Sequence, residues 1–215
     1  MYDYFTDKDF LDRARPFAVS IAERVQGFVR EDGMSCQFFG VGSNPRNMVT
    51  QNEDGPIDFD FNLNILSCDD WDDARSIKEA VRKCFNSAMR EQGLGDVQDS
   101  TSSLTTELIH FRDDPSTEFS IDIAVVTKGS DGCWYRLIHQ KTGYASMDAY
   151  IWNKVRDSKG LDKRESWLKK NGRWQEVRER YLVIKNRYLT RNDYDHPSFV
   201  CYIEAVNEIY QKRHK

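Results

Sequence analysis

Histidine is scarce in this chain of 215 residues. His110, His139, His196 and His214 are the only four, and no two sit at the spacing of a metal-ligand pair, so a His-based zinc site or a Ser-His-Asp triad has little to be built from. The five cysteines, Cys36, Cys68, Cys84, Cys133 and Cys201, are odd in number, scattered and without a C-x-x-C pair, which argues against a disulfide scaffold or a zinc knuckle. No apolar run approaches the roughly 20 residues that cross a bilayer. The opening "MYDYFTDKDF" is acidic and lacks the basic-then-apolar layout of a signal peptide, so a cytoplasmic protein with no membrane association is expected. There is no internal repeat and no low-complexity linker. Any metal chemistry here has to be oxygen chemistry.

What is present is enough for a folded globule. Apolar residues make up 39% and aromatics 13% of the sequence, and the length suits one domain, or a core with a small appendage. Charge is unevenly placed. From Tyr150 onward 16 Lys and Arg face 9 Asp and Glu, against 15 and 26 in residues 1–149. Carboxylates gather in the first part and cations in the second, an arrangement suited to binding a phosphate-rich ligand between them, or simply to two charged faces that attract.

Hydrophobic spacing predicts a helix over 7–30 (Phe10, Ala14, Phe17, Ile21, Val25, Phe28), ended at "EDG", then a short strand in "MSCQFFGV". Gly42-Ser43 and Asn-Pro follow as a turn, and residues 44–56 read as a polar loop. A helix is expected in the segment 67–93, which opens with Ser67 and several Asp residues able to cap it and stops at Gly93. Strands are expected at 103–111, 118–126 and 133–140, with turns at "RDDPST" and "KGSDG". Beyond Ser146 helices are expected at 147–156, 162–170, 172–191 and 197–213, with Pro197 in the first turn of the last. The division expected is a core over 1–145 and a helical segment over 146–215 packed on it.

The clearest strand is "IDFDFNLNIL", residues 57–66. Ile57, Phe59, Phe61, Leu63 and Ile65 alternate with Asp58, Asp60, Asn62 and Asn64, so one face is apolar and the other polar. Asp58 and Asp60 project from one face about 6.5–7 Å apart at Cα. Two carboxylates so placed repel each other unless solvent or a hard divalent cation, Mg²⁺ or Mn²⁺, lies between them. Asp122, a lone acid in the apolar run "FSIDIAVV", is the natural third, since an unpaired buried charge is otherwise costly. Other D-x-D pairs, Asp7/Asp9, Asp70/Asp72 and Asp193/Asp195, fall at helix starts or turns, where Asp has an ordinary capping role.

Gly42-Ser43, Asp58-Phe59-Asp60 and Ile121-Asp122-Ile123, in this order and with these elements between them, resemble the nucleotidyltransferase superfamily typified by DNA polymerase β. The match runs over about residues 20–126, with a fourteen-residue spacer, 44–57, between turn and acid pair. Two weaker echoes, "YLVIKNRYL" and "DHPSFVCYIEAV", resemble helices of the oligoadenylate-synthase-like and bacterial cyclic-oligonucleotide-type branch. The resemblance implies an α+β fold, a small mixed or antiparallel sheet flanked by helices with a C-terminal helical segment. It implies transfer of an NMP from an NTP to a hydroxyl acceptor with release of pyrophosphate. Two Mg²⁺ or Mn²⁺ ions would be held by Asp58, Asp60 and Asp122, which serve as catalytic and metal residues, with Gly42, Ser43 and Lys185 binding the nucleotide. Arg46 is a further phosphate candidate, and Trp134, Tyr135, Tyr188 and Tyr202 are candidates for stacking on a base. The acceptor stays open between a small molecule, a nucleotide, RNA and protein. The rival from another class is a catalytically inactive binding or regulatory protein on the same fold. A metal-dependent nuclease would want an acid followed by E-x-K on the next strand, which "IDIAVVTK" does not supply.

Overall fold

The alternating run becomes a strand of eleven residues (Ile57–Ser67), and its apolar face organises the molecule. Residues 1–40, 48–191 and 198–214 are described by the computed structural model. The expected turn at Gly42, Ser43 and Arg46, together with Asp193, Asp195 and Pro197, lies outside them. In chain order the elements are β1 (Tyr2–Tyr4), α1 (Lys8–Glu31), β2 (Ser35–Gly40), β3 (Thr50–Asn52), β4 (Ile57–Ser67), α2 (Ala74–Glu91), β5 (Gln98–Asp99), β6 (Leu104–Thr105), β7 (Ile109–Phe111), β8 (Asp114–Lys128), β9 (Trp134–Gln140), β10 (Ala149–Lys154), α3 (Leu161–Lys170), α4 (Trp174–Thr190) and α5 (Ser198–Arg213). The fold is α+β, as expected.

One mixed sheet holds these strands. β4 and β8 run parallel at its centre, from Ile57 opposite Phe119 to Asn64 opposite Val126. β2 adds antiparallel to β4, β9 to β8, and β10 to β9. Ile57, Phe59, Phe61, Leu63 and Ile65 of β4 are all at most 2% exposed. They belong to one core with the apolar stripes of α1 (Ala14, Ile21, Val25) and α2 (Ile77, Val81, Phe85). Phe119 meets Phe10, Phe17, Phe59 and Phe111 at ring-centroid distances of 5.6–6.1 Å. Burial of each such ring contributes about 1.5–3 kcal/mol, so this cluster fixes β4 and β8 against α1. Ala124 and Val126 belong to a second core with Val177, Tyr181, Phe199 and Val206 of α4 and α5. The C-terminal helices are therefore part of the fold. Among the described residues no helix is long and apolar enough to cross a membrane.

Helix ends follow local chemistry. Asp7 caps α1 by accepting from the Phe10 N–H at 3.0 Å, and Gly33, at φ +95°, turns the chain out of it. Asp70 accepts from the Asp72 N–H within a turn. These acids have the capping and turn roles expected of them.

Three expectations are corrected. Residues 147–156 do not form a helix; β10 occupies 149–154 and pairs with β9. "AYIWN" is rich in aromatic and β-branched side chains, and Tyr150 and Trp152 pack against the first core, so period-two burial wins over a weak helical spacing. The strand expected at 103–111 is broken in two, because β6 and β7 pair with different parts of β8. The "RDDPST" turn closes within Phe111–Asp114, and Pro115, Ser116 and Thr117 already belong to β8. β1, β3 and β5 are too short, at three, three and two residues, to show a period.

Candidate active site

Alternation on β4 turns Asp58, Asp60, Asn62 and Asn64 away from the first core. Parallel pairing with β8 then sets Asp60 opposite Asp122, Asp58 opposite Ser120 and Asn62 opposite Ala124. Neighbouring strands lie about 4.8 Å apart, so the carboxylate-bearing backbones of Asp60 and Asp122 are adjacent. All three acids line one cavity of about 240 Å³, together with Asn62, Ser102, Ser103, Arg136, Lys185 and Ser198.

The electrostatics are those of carboxylates crowded away from water. Burial pushes Asp60 up to about 6; Lys185 pulls it back down and Asp58 adds to the rise. Asp122 is pushed up to about 7, again first by burial and then by Asp60 and Asp58. Both are thus shifted toward the protonated form, first by burial and then by neighbouring carboxylates, Asp58 for Asp60 and Asp60 with Asp58 for Asp122. Asp58 accepts a hydrogen bond from the Ser120 hydroxyl at 2.7 Å. Oδ1 of Asp122 is buried with no hydrogen-bond partner.

Cations approach from two sides. Lys185, on α4, donates to the Thr50 hydroxyl at 2.9 Å and lowers the Asp60 pKa across the cavity. Arg136, on β9, is 7% exposed; burial lowers its pKa to about 10, and Asp60 and Asp122 oppose that fall. The chain thus brings Asp58, Asp60, Asp122 and Lys185 to one cavity from β4, β8 and α4. Of the four aromatic candidates, Tyr188 reaches this cavity. Trp134 packs against Phe39 with centroids 5.4 Å apart, the Tyr135 hydroxyl donates to Asp131, and Tyr202 is buried in the second core.

Arg136, Ser102, Ser103, Ser198 and Tyr2 were not singled out by sequence reasoning. Arg136 carried a usable signal, a single cation inside the apolar strand "WYRLIHQ", the same signal that marked Asp122.

As donors, three carboxylates, one with a buried unpartnered oxygen, fit a hard divalent cation. In position they are more open: among the described residues no three His, Cys, Asp or Glu side chains come together as a metal-holding group.

No protein-family model matches the sequence, and no curated protein sequence matches it. Solved structures do match by fold. CdnC of E. coli MS115-1 with ATP superposes with a TM-score of 0.54 at 16% identity, covering 94% of this chain and 61% of its own. The CdnC:HORMA-deltaN complex from the same source gives 0.54 at 15% identity, covering 94% and 60%. The CD-NTase CdnG of Bradyrhizobium diazoefficiens, in complex with GTP, gives 0.45 at 17% identity, covering 73% and 42%. These neighbours are cyclic-oligonucleotide synthases, nucleotidyltransferases of the polymerase β type. This chain has the DNA polymerase β-like nucleotidyltransferase fold. It spans between 42% and 61% of the length of those three chains. Asp58 and Asp60 come from β4 and Asp122 from its parallel neighbour β8.

Proposed function

We propose that the chain is a metal-dependent nucleotidyltransferase that moves an NMP from an NTP to a hydroxyl acceptor and releases pyrophosphate. The observation that carries this reading is the register that places Asp60 opposite Asp122, with Asp58 beside them and Lys185 across the same cavity. Asp58, Asp60 and Asp122 would hold one or two Mg²⁺ or Mn²⁺ ions, which when bound would neutralise the triphosphate and acidify the attacking hydroxyl. A site with that chemistry needs no histidine base, in keeping with a cavity lined by Asp, Ser, Lys and Arg.

The chain's own groups supply binding and orientation. Lys185 meets the phosphates with donors that Thr50 does not occupy. Ser120 orients the Asp58 carboxylate, and Arg136 offsets charge behind Asp60 and Asp122. Gly42 and Ser43 complete the phosphate cradle in this reading. Residues 1–145 thus act as the acidic catalytic core and 146–215 as the source of Lys185 and Ser198. A second reading, a nucleotide-binding protein without catalysis, draws on the open spacing of the three acids.

The test is pyrophosphate release from each of the four NTPs with Mg²⁺ or Mn²⁺, beside a folded Asp58→Ala, Asp60→Ala double variant. ATP, bound in the CdnC structure, is the first to try. Release by the wild type that falls to background in the variant supports transfer, and the product's mass identifies the acceptor. NTP binding by the wild type with no release, across small-molecule, nucleotide, RNA and protein acceptors, overturns it in favour of the second reading.

A further inference from the structure

The amino-terminal strand reaches across the fold to the candidate active site, and its first side chain there, Tyr2, lines the cavity. β1 pairs with β3, with Tyr2 opposite Asn52 and Tyr4 opposite Thr50. The helix that carries Lys185 also grips this strand. The neighbouring side chain, Asn186, accepts from the Tyr2 N–H at 2.7 Å and donates to the Tyr2 carbonyl at 2.9 Å. Both polar groups of that residue are therefore clasped by α4, and the Tyr4 hydroxyl adds a bond to the Arg178 carbonyl at 2.6 Å. A side chain on so fixed a backbone has few places to go.

The Tyr2 ring is placed against Lys185. Nζ of Lys185 is 4.2 Å from the Tyr2 ring centroid and 5.7 Å from that of Tyr181, and it donates to Thr50 Oγ1 at 2.9 Å. No carboxylate among the described residues forms a salt bridge with it. This is an unusual way to hold an ammonium beside three acids. Ring faces attract a cation without consuming its N–H donors, and a hydroxyl consumes one of three. Two donors are left, at the wall of a cavity whose opposite wall is acidic. The cage also keeps Lys185 from collapsing onto Asp60, which would satisfy both charges and remove them from use.

We propose that Tyr2, with Thr50, positions Lys185, and that this cage sets how tightly the cavity takes the polyphosphate chain of the nucleotide. The proposal rests on the nucleotidyltransferase reading above, in which Lys185 is a phosphate ligand. Tyr2 acts through Lys185 and does not itself touch phosphate. Only the ring matters to this role, since the strand is held by backbone bonds.

Calorimetric titration with inorganic tripolyphosphate at fixed Mg²⁺ tests this on four proteins: wild type, Tyr2→Leu, Lys185→Met and the double variant. Tyr2→Phe is added as rescue, and thermal midpoints check folding. Tyr2→Leu should weaken binding about 3- to 30-fold, the range of a partly desolvated cation–π contact. Tyr2→Phe should bind as the wild type does. In the Lys185→Met background Tyr2→Leu should have no further effect, which a merely structural role would not produce. If Lys185→Met weakens binding but Tyr2→Leu does not, or if the two losses add, the cage is wrong and the phosphate reading stands. If the wild type fails to bind tripolyphosphate, both fall.

Discussion

Asp60 stands directly across parallel strands from Asp122; in their one cavity burial raises the pKa of both, Asp58 adds to the rise of each, and Asp60 adds to that of Asp122. The pair is held by the strand register, which the surrounding phenylalanine core fixes, so the fold keeps two like charges together against their repulsion. Such a site is less stable by itself than a neutral one would be, and it gains from any cation that enters.

The first prediction concerns pH. Both carboxyls have folded-state pKa values above their ordinary 3.8, so their contribution to stability is full below about pH 4 and is lost as pH rises through 6 to 7. Asp122→Asn removes the charge and keeps the shape. In metal-free buffer at pH 8 it should stabilise the protein by on the order of 1–3 kcal/mol, seen as a thermal midpoint roughly 3–10 °C higher. The gain should vanish near pH 4. A variant less stable than wild type at pH 8 would contradict the crowding of charge described here.

Metal addition should act in the opposite sense on the same groups. At a concentration ten times its dissociation constant, Mg²⁺ or Mn²⁺ should stabilise the wild type by about 1.4 kcal/mol. The effect should be larger at pH 8 than at pH 5.5, because protons compete for the carboxylates. EDTA should reverse it. An equal shift in the Asp58→Ala, Asp60→Ala variant would place the ion elsewhere.

How much of this was legible depended on the range over which each signal acts. Asp58 and Asp60 were visible because apolar and polar residues of β4 alternate without a break over 57–65, and Asp122 because a charge in an apolar strand demands a partner. Arg136 satisfies the same test and could have been found by it. Tyr2 could not, since its position is decided by a helix 184 residues away in sequence and "MYDYF" is too short to carry a period. β10 was misread as helix because the burial of Tyr150 and Trp152 on the sheet is a tertiary fact. The register of Asp60 against Asp122 belongs to the same class: sequence named the residues, and only pairing of β4 with β8 could bring them together.

A prediction independent of function lies in α1. Pro16 is exposed inside this helix, where it lacks the N–H that would bond the carbonyl of Asp12 and its ring crowds that carbonyl. Pro16→Ala should raise stability by on the order of 1–3 kcal/mol, measured by urea unfolding with an unchanged slope. A loss of stability would mean that the backbone geometry Pro16 imposes is needed for the packing of Phe10 and Phe17 on Phe119.

The last prediction concerns the support of the cavity wall. Lys78 of α2 is 1% exposed and pairs with Asp99 at 2.6 Å, while donating to the Ser100 carbonyl at 2.9 Å. His139 bonds the other Asp99 oxygen through Nδ1 at 2.6 Å and Asp148 through Nε2 at 3.0 Å. Its backbone N–H also holds the Thr101 carbonyl at 2.8 Å. Ser102 and Ser103, which line the cavity, follow at once in the chain, so this buried network fixes their backbone from behind. Burial lowers the Lys78 pKa despite the opposing pull of Asp99, as expected where desolvation of the ion outweighs its partner's attraction. Lys78→Met should destabilise the protein by about 3 kcal/mol, because it leaves Asp99 with less compensation than it has now. Asp99→Asn should recover part of that loss in the Lys78→Met background, although alone it too destabilises, since it strips Lys78 of its counter-ion. The cycle distinguishes a charge pair from mere packing: if the two losses add, the pairing of Lys78 with Asp99 contributes nothing, and the position of Ser102 and Ser103 rests on the backbone hydrogen bonds alone.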